Sequence, residues 1–103
     1  TVGAARTLPD PVEAALYRVV QESLTNVMRH SERKEATVRV TYHDDRVVVT
    51  VSNPAPGGPA AGEGLGIAGM RKRVTALGGH FSVGPTPDGR FEVRAAIPTE
   101  VTA

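Results

Sequence analysis

The stretch GEGLGIAGMRKR, residues 62–73, places four glycines within eight residues and then becomes strongly basic. Gly64, Gly66 and Gly69 form G-x-G-x-x-G, a pattern found in dinucleotide-binding loops. Gly62, Gly64 and Gly66 form a different pattern, G-x-G-x-G. A plain flexible loop is the third interpretation. The helices and strands predicted around this stretch indicate which kind of loop it is.

The segment before the glycines predicts a long helix over residues 8–31. Asp10 is a suitable N-cap, Pro11 suits the first helical position, and Glu13 resembles the partner residue of a capping box. Residues at spacings of three and four indicate one buried stripe. Its predicted members are Val12, Leu16, Val19, Val20, Ser23, Leu24 and Val27.

The rest of the chain predicts four strands, a second helix and one long loop. Seven of the eleven residues 54–64 are Gly or Pro, which excludes a regular element there. The predicted strands span 35–43, 47–53, 80–85 and 90–98, and the second helix spans 66–79. This order favours an α+β sandwich, in which helices cover one face of a small mixed, largely antiparallel sheet.

The elements around the glycines argue against a dinucleotide-binding loop. Such a loop must directly follow a buried strand inside a parallel β-α-β unit. Here the glycines follow a Gly/Pro loop, and no strand ending in an acidic residue lies about 20 positions further on, because Asp88 falls in a turn. The chain also lacks G-x-x-x-x-G-K-[ST], which excludes a P-loop.

Composition narrows the class of protein. A chain of 103 residues forms one domain, and its net charge of +1 argues against a dedicated nucleic-acid-binding protein. The absence of cysteine excludes disulfides and cysteine-based zinc sites, and the three histidines lack ligand spacing. No apolar run approaches the roughly 18 residues of a membrane span, so we expect an intracellular domain cut from something longer.

The first helix offers a polar face that suits the G-x-G-x-G interpretation. Glu22, Asn26 and Arg29 stand at i, i+4 and i+7 and therefore share one face beside the apolar stripe. A carboxylate, a carboxamide and a guanidinium at the rim of a cleft can serve a metal–phosphate group. Mg²⁺ prefers oxygen ligands and often takes only one or two from the protein, so the Asn26 amide oxygen suffices. The alternative interpretation is a solvated helix face.

Two motifs together resemble the ATP-binding domain of bacterial sensor histidine kinases. They are VVQESLTNVMRHS, residues 19–31, and GLGIAGMRKRV followed by ALGG, and they occur in the order of that family. Its fold, the Bergerat ATP-binding fold, is shared with DNA gyrase B, Hsp90 and MutL. The likeness is greatest to the nitrate-sensor and thermosensor kinases, in which Q-E-x-x-x-N recurs, and it covers about residues 8–98.

The resemblance implies that ATP and Mg²⁺ bind along the first helix. Asn26 would hold Mg²⁺ between the phosphates, and Glu22 would orient a metal-bound water or act as general base. Arg29 would face phosphate. His30 would form a wall beside the adenine ring; the alternative is a helix-end histidine that caps carbonyl groups.

The resemblance also assigns roles to the glycine-rich segments. Gly62, Gly64 and Gly66 would form the second glycine box, at the end of a lid that closes over the triphosphate. Glycine lets backbone N–H groups approach phosphate oxygens closely. Leu65 and Met70 would face the nucleotide or hold the lid against the first helix, with plain core packing as the alternative for Met70.

The first glycine box departs from the pattern of the family. The family usually has D-x-G-x-G after the second strand, with Asp accepting a hydrogen bond from the adenine amino group. Here the strand ends in VSNPAPGG, so Asn53 stands at the Asp position, and Gly58 lies in the same box. Asn can still accept this bond, without the assistance of a charge.

In function, the resemblance implies the catalytic half of a histidine kinase. It would transfer the ATP γ-phosphoryl group to a histidine on a separate helical dimerisation domain and act indirectly on a response regulator. Alone, residues 1–103 would be a cytoplasmic monomer that does not autophosphorylate, with no nucleic-acid partner; the whole kinase would be soluble or membrane-anchored. Two alternatives stay open: an anti-sigma-factor-type serine kinase of the same fold, and a degenerate nucleotide-binding or docking module.

Overall fold

The helices and strands follow the predicted order in a computed structural model, which describes residues 8–30, 35–54 and 66–99. The side chain of His30 lies outside this description. The elements are α1 (Asp10–His30), β1 (Thr37–Tyr42), β2 (Arg46–Pro54), α2 (Ile67–Thr75), β3 (His80–Pro85) and β4 (Arg90–Pro98).

The four strands form one sheet in the order β1-β2-β4-β3. Every pairing among the described strands is antiparallel, so the parallel pair that a mixed sheet would contain does not occur in this part of the chain. In the register, Val49 of β2 lies opposite Val40 of β1 and Ala95 of β4. The α+β prediction, with helices on one side of a largely antiparallel sheet, is confirmed.

Both helices cover the same face of this sheet. α1 packs on β2 and β4, and α2 packs on β3 and β4. The core between the layers is mainly aliphatic, since Phe81 is the only aromatic among its buried residues in the described segments. It contains Leu8, Val12, Ala15, Val19, Val47, Val49, Ile67, Met70, Val74, Phe81, Val93, Ala95 and Ile97.

The N-cap of α1 lies one residue before Asp10, the residue that the sequence suggests for it. The Pro9 carbonyl accepts the first helical hydrogen bond, from the Glu13 amide at 3.0 Å, so Pro9 occupies the backbone position expected for Asp10. Asp10 and Glu13 then lie in the first turn, where the helix dipole favours acidic side chains.

The prediction of the buried stripe is wrong for one residue. Leu24 is 36% exposed, whereas Val19, Ser23 and Val27 are buried as expected. Leu24 lies about 160° around α1 from Glu22, the residue that faces the start of α2. The residue spacing alone does not distinguish the two sides of the stripe.

α2 is shorter than predicted because its last residues form a C-terminal turn. The Gly78 amide donates to the Thr75 carbonyl, and the Gly79 amide donates to the Val74 carbonyl, both at 3.0 Å. Gly78 has φ +76°, which glycine adopts readily. This pair of bonds with a left-handed residue is a Schellman motif, and it directs the chain into β3.

Gly79 lies so close to β4 that only glycine fits. A Cβ added there would be 2.5 Å from the Ala96 carbonyl oxygen and 2.8 Å from a Val74 methyl group. No helix of the described segments is both long and apolar enough to span a membrane.

Candidate functional site

The second half of α1 faces the beginning of α2. A Cβ added to Gly66, the residue before α2, would lie 3.0 Å from Glu22 Oε2. Glu22 and Gly66 are 44 positions apart in the sequence, so this contact joins the polar face predicted on the first helix to the glycine-rich motif.

The start of α2 has features that suit an anion. Gly66 has φ +77° and occupies the N-cap position without a side-chain hydrogen bond to the helix. No acidic residue lies in the first turn of α2. The first amide groups of a helix have no partner within the helix, and they carry the positive end of its dipole. This end of α2 therefore presents backbone donors next to Glu22.

Asn26 and Arg29 continue the polar face of α1 beyond Glu22. Their spacing places them on the α2 side of α1, one and two turns after Glu22. Asn26 is half-buried and Arg29 is exposed, so the face becomes more open toward the end of the helix. A cleft beside these residues stays a prediction.

Met70 lies in the core and joins the two helices. The Ser23 hydroxyl donates to Met70 Sδ at 3.8 Å, and each residue is 2% exposed. This contact holds α2 against α1 directly beside Glu22. Met70 thus packs between the helices, and contact between Met70 and a nucleotide stays a prediction.

Asn53 is a buried polar residue near the end of β2. It is 7% exposed, and its Nδ2 donates to the Pro54 carbonyl at 3.1 Å. Phe91, half-buried, lies directly opposite Asn53 in the register of β2 and β4. Their side chains point to the helix side, because Val51 and Val93, two residues away, belong to the buried face.

Sequence reasoning did not identify Phe91 as a site residue. Its pattern in RFEVRAAIP indicates a strand, but its position beside Asn53 depends on a register between segments 38 residues apart. The only sequence signal is that both residues lie at the ends of strands that meet at one edge of the site.

Arg71 holds α2 against β3. Its guanidinium donates to the Phe81 carbonyl at 3.1 Å and lies 5.2 Å from the centre of the Phe81 ring. A cation over an aromatic ring is a stabilising arrangement. Arg71 therefore connects α2 to β3.

Several predicted site residues lie outside the described segments. They are Gly58, Gly62, Gly64 and Leu65, together with the side chain of His30. Among the predicted residues that are described, Glu22 lies against Gly66, and Met70 packs on Ser23 beside them. Asn26 and Arg29 follow Glu22 on α1, and Asn53 lies near the end of β2.

The described residues suit a Mg²⁺ ion that takes only part of its ligands from the protein. No group of three or more His, Asp or Glu in these segments is arranged to hold a metal ion by itself. A half-buried carboxamide such as Asn26 supplies one oxygen, and Mg²⁺ commonly completes its shell with water and substrate phosphates. The donor set fits a metal ion that arrives with a phosphate ligand.

Comparison with known proteins gives the family. Residues 12–101 match the family described as histidine kinase-, DNA gyrase B- and HSP90-like ATPases. The chain is 32% identical over 88 residues, 84% of its length, to the signal transduction histidine-protein kinase/phosphatase UhpB of Salmonella typhimurium. It is 29% identical over 98 residues, 90% of its length, to the sensor protein VraS of Staphylococcus aureus. The sensor histidine kinase YxjM of Bacillus subtilis is 24% identical over 94 residues, 91% of this chain.

The match covers a small part of each relative: 18% of UhpB, 23% of YxjM and 28% of VraS. The matched region nevertheless includes α2, all four strands and all of α1 except its first two residues. The chain therefore belongs to the histidine kinase-, DNA gyrase B- and HSP90-like ATPase family, as an ATP-binding catalytic domain of the sensor histidine kinase type.

Proposed function

We propose that this domain binds Mg-ATP between α1, the start of α2 and the end of β2, and transfers the γ-phosphoryl group to a histidine on a separate helical domain. The observation that carries the proposal is the contact of Glu22 with Gly66. It brings the carboxylate of the first motif to backbone donors that have no acidic neighbour in the first turn of α2.

Residues of α1 would bind the metal ion and the phosphates. Asn26 would hold Mg²⁺ through its amide oxygen, and Arg29 would attract the phosphates from the open end of the cleft. Bound Mg²⁺ would supply neutralisation of phosphate charge. Glu22, whose carboxylate lies beside the α2 N-terminus, would orient a metal-bound water or accept a proton.

The adenine would bind at the end of β2. Asn53 would accept a hydrogen bond from the adenine amino group through its side-chain oxygen. Phe91 would offer an apolar surface to the base. His30 is proposed as a second ring beside it, from the family resemblance.

The glycine-rich segment would cover the triphosphate. We assign Gly58 to the first glycine box, and Gly62, Gly64 and Gly66 to the second, with Leu65 facing the nucleotide. Backbone amide groups without neighbouring Cβ atoms can approach phosphate oxygens closely. For Gly66 the positive φ, which glycine adopts readily, supports this role.

The transfer itself would need a second domain. The bond between the γ-phosphorus and the β,γ-bridging oxygen breaks, ADP leaves with that electron pair, and a phosphorus–nitrogen bond forms on an imidazole of the acceptor. The imidazole nitrogen loses its proton to a neighbouring base or water. The ATP-binding domain contributes positioning and charge stabilisation, which account for most of such catalysis.

The other domain of the protein, its oligomeric state and its place in signalling are proposed from the relatives. The helical domain of the same protein would carry both the acceptor histidine and the dimer contact, so that residues 1–103 alone would be monomeric and inactive in autophosphorylation. A response regulator would receive the phosphoryl group next. The protein would act in the cytoplasm, as a soluble or membrane-anchored kinase of the nitrate-sensor or thermosensor type.

The experiment is phosphotransfer from labelled ATP in a protein that contains this domain and its helical domain. A phosphohistidine is labile in acid and stable in base, whereas phosphoserine is stable in acid. Acid-labile label that is lost in Asn26→Ala would support the proposal. Acid-stable label on a separate protein would favour the serine-kinase alternative, and no ATP binding at all would favour a degenerate docking module.

A further inference from the structure

One arginine links three strands on the face of the sheet opposite the two helices. Arg90, the first residue of β4, is half-buried there. Its Nε donates to the Ser52 hydroxyl at 3.2 Å, and its Nη2 donates to the Ser52 carbonyl at 3.3 Å. The same Nη2 donates to the Thr37 hydroxyl at 3.4 Å. The side chain of Arg90 therefore extends from β4 across β2 and reaches β1.

The hydrogen bonds of Arg90 lie next to Asn53. Ser52 directly precedes Asn53, and the Ser52 carbonyl belongs to the peptide group that ends at the Asn53 nitrogen. Side chains alternate along a strand, so Arg90 and Ser52 lie on one face of the sheet while Asn53 lies on the other. Arg90 thus restrains the backbone of Asn53 from the face opposite the proposed nucleotide site.

Backbone pairing restrains this end of β2 from one side only, within the described sheet. Ser52 is the last residue of β2 that pairs with β1, whereas the pairing with β4 continues to Pro54. Pro54 also has no backbone N–H to donate. Because the ends of elements with few contacts open at a low free energy, the bonds of Arg90 add a restraint that strand pairing does not supply here.

We propose that Arg90 is a positioning residue for base recognition, which fixes the end of β2 so that the Asn53 side chain is held toward the adenine. The inference rests on the proposed function. A planar guanidinium suits this role, since its fork of fixed donors reaches two acceptors on Ser52 and a third on the next strand. Arg90 lies on the face away from α1 and α2, so its effect on a nucleotide bound between the helices and β2 must pass through β2.

The test is calorimetric titration of the 103-residue chain with ATP and GTP, comparing Arg90→Met with Arg94→Met. Arg94 is the matched control, because it is a half-buried arginine on the same face of β4 and makes no hydrogen bond to a neighbouring strand among the described residues. We expect ATP to bind about five-fold more weakly to Arg90→Met, with GTP affinity nearly unchanged, and no change in Arg94→Met. A residue that only stabilised the fold would lower the melting temperature and leave the ratio of ATP to GTP affinity as it was.

A double-mutant cycle with Asn53→Ala identifies the route of the effect. If Arg90 acts through Asn53, Arg90→Met costs no further ATP affinity once residue 53 is alanine. Thr37→Val combined with Ser52→Ala is a milder variant, since it removes both hydroxyl partners and keeps the guanidinium. It should weaken ATP binding in the same direction, and it replaces Arg90→Met in the cycle if that protein melts at too low a temperature to be titrated.

Three results would each overturn the role of Arg90 and leave the proposed function standing. They are equal ATP affinities of Arg90→Met and Arg94→Met, an unchanged ratio of ATP to GTP affinity in Arg90→Met, and a loss in Arg90→Met that persists beside Asn53→Ala. Absence of ATP binding by the unmodified chain would instead overturn the proposed function, and this role of Arg90 with it.

Discussion

The carboxylate of Glu22 lies against Gly66, close enough that a single added carbon on Gly66 would come within 3.0 Å of Glu22 Oε2. Two separate features therefore favour glycine at position 66: the φ of +77° and the space that Glu22 occupies. The first reason concerns folding, and the second concerns the position of a proposed catalytic group.

Gly66→Ala is expected to reduce phosphotransfer by at least about ten-fold, because the new methyl group displaces the Glu22 carboxylate. Gly78→Ala is the matched control, since Gly78 has φ +76° and its nearest neighbouring atom to an added Cβ is 4.0 Å away. Both changes should cost about 1 kcal/mol of stability through the left-handed backbone. Equal activities of the two folded variants would contradict a role for the Glu22–Gly66 contact.

Gly79→Ala should destabilise the domain by about 3 kcal/mol, since the new Cβ overlaps the Ala96 carbonyl oxygen and the backbone of Val74. Gly69→Ala is the comparison. It lies in α2 with no atom within 4 Å of an added Cβ, and alanine there should stabilise the helix by about 0.5–1 kcal/mol. Urea unfolding of both variants measures the difference. A Gly79→Ala protein as stable as the unmodified domain would show that α2 and β4 do not approach as described.

Asn53→Asp tests whether the side chain at position 53 binds the adenine of ATP. A carboxylate would accept from the adenine amino group with the assistance of charge, so ATP should bind several-fold more tightly, by about 1 kcal/mol. GTP should gain nothing, because its base presents a carbonyl there. The change also removes the Nδ2 bond to the Pro54 carbonyl and should cost about 1–3 kcal/mol of stability.

Calorimetric titration with both nucleotides, together with thermal melts, separates these two effects. Equal or weaker ATP affinity in a well-folded Asn53→Asp protein would mean that Asn53 does not contact the adenine.

Local pattern predicted the strands and the turn between β3 and β4 well. The segments HFSVGP and RFEVRAAIP form strands at the predicted residues, 80–85 and 90–98. Thr86, whose amide donates to the Arg90 carbonyl at 2.7 Å, closes the turn between them. Alternating side chains and turn residues are properties of neighbouring positions, so the sequence contains them directly.

Features that depend on distant pairing were not predictable in this way. The exposure of Leu24 follows from the strand order β1-β2-β4-β3, which puts α2 on one side of α1 only. The position of Phe91 opposite Asn53 follows from the register of β2 with β4. The polar face of Glu22 and Asn26 was predictable from helical spacing, but its contact with Gly66 depends on how α1 packs against α2.

The most direct test of the central claim is calorimetric titration of the 103-residue chain with ATP, with and without Mg²⁺, beside the Asn26→Ala variant. Asn26 is half-buried and lies outside the buried stripe of α1, so the variant should keep its melting temperature within a few degrees. The account predicts weak, magnesium-dependent binding with very slow hydrolysis, and at least about ten-fold weaker binding in Asn26→Ala. Undiminished Mg-ATP binding by a folded Asn26→Ala protein, or rapid ATP hydrolysis by the unmodified chain alone, would contradict it.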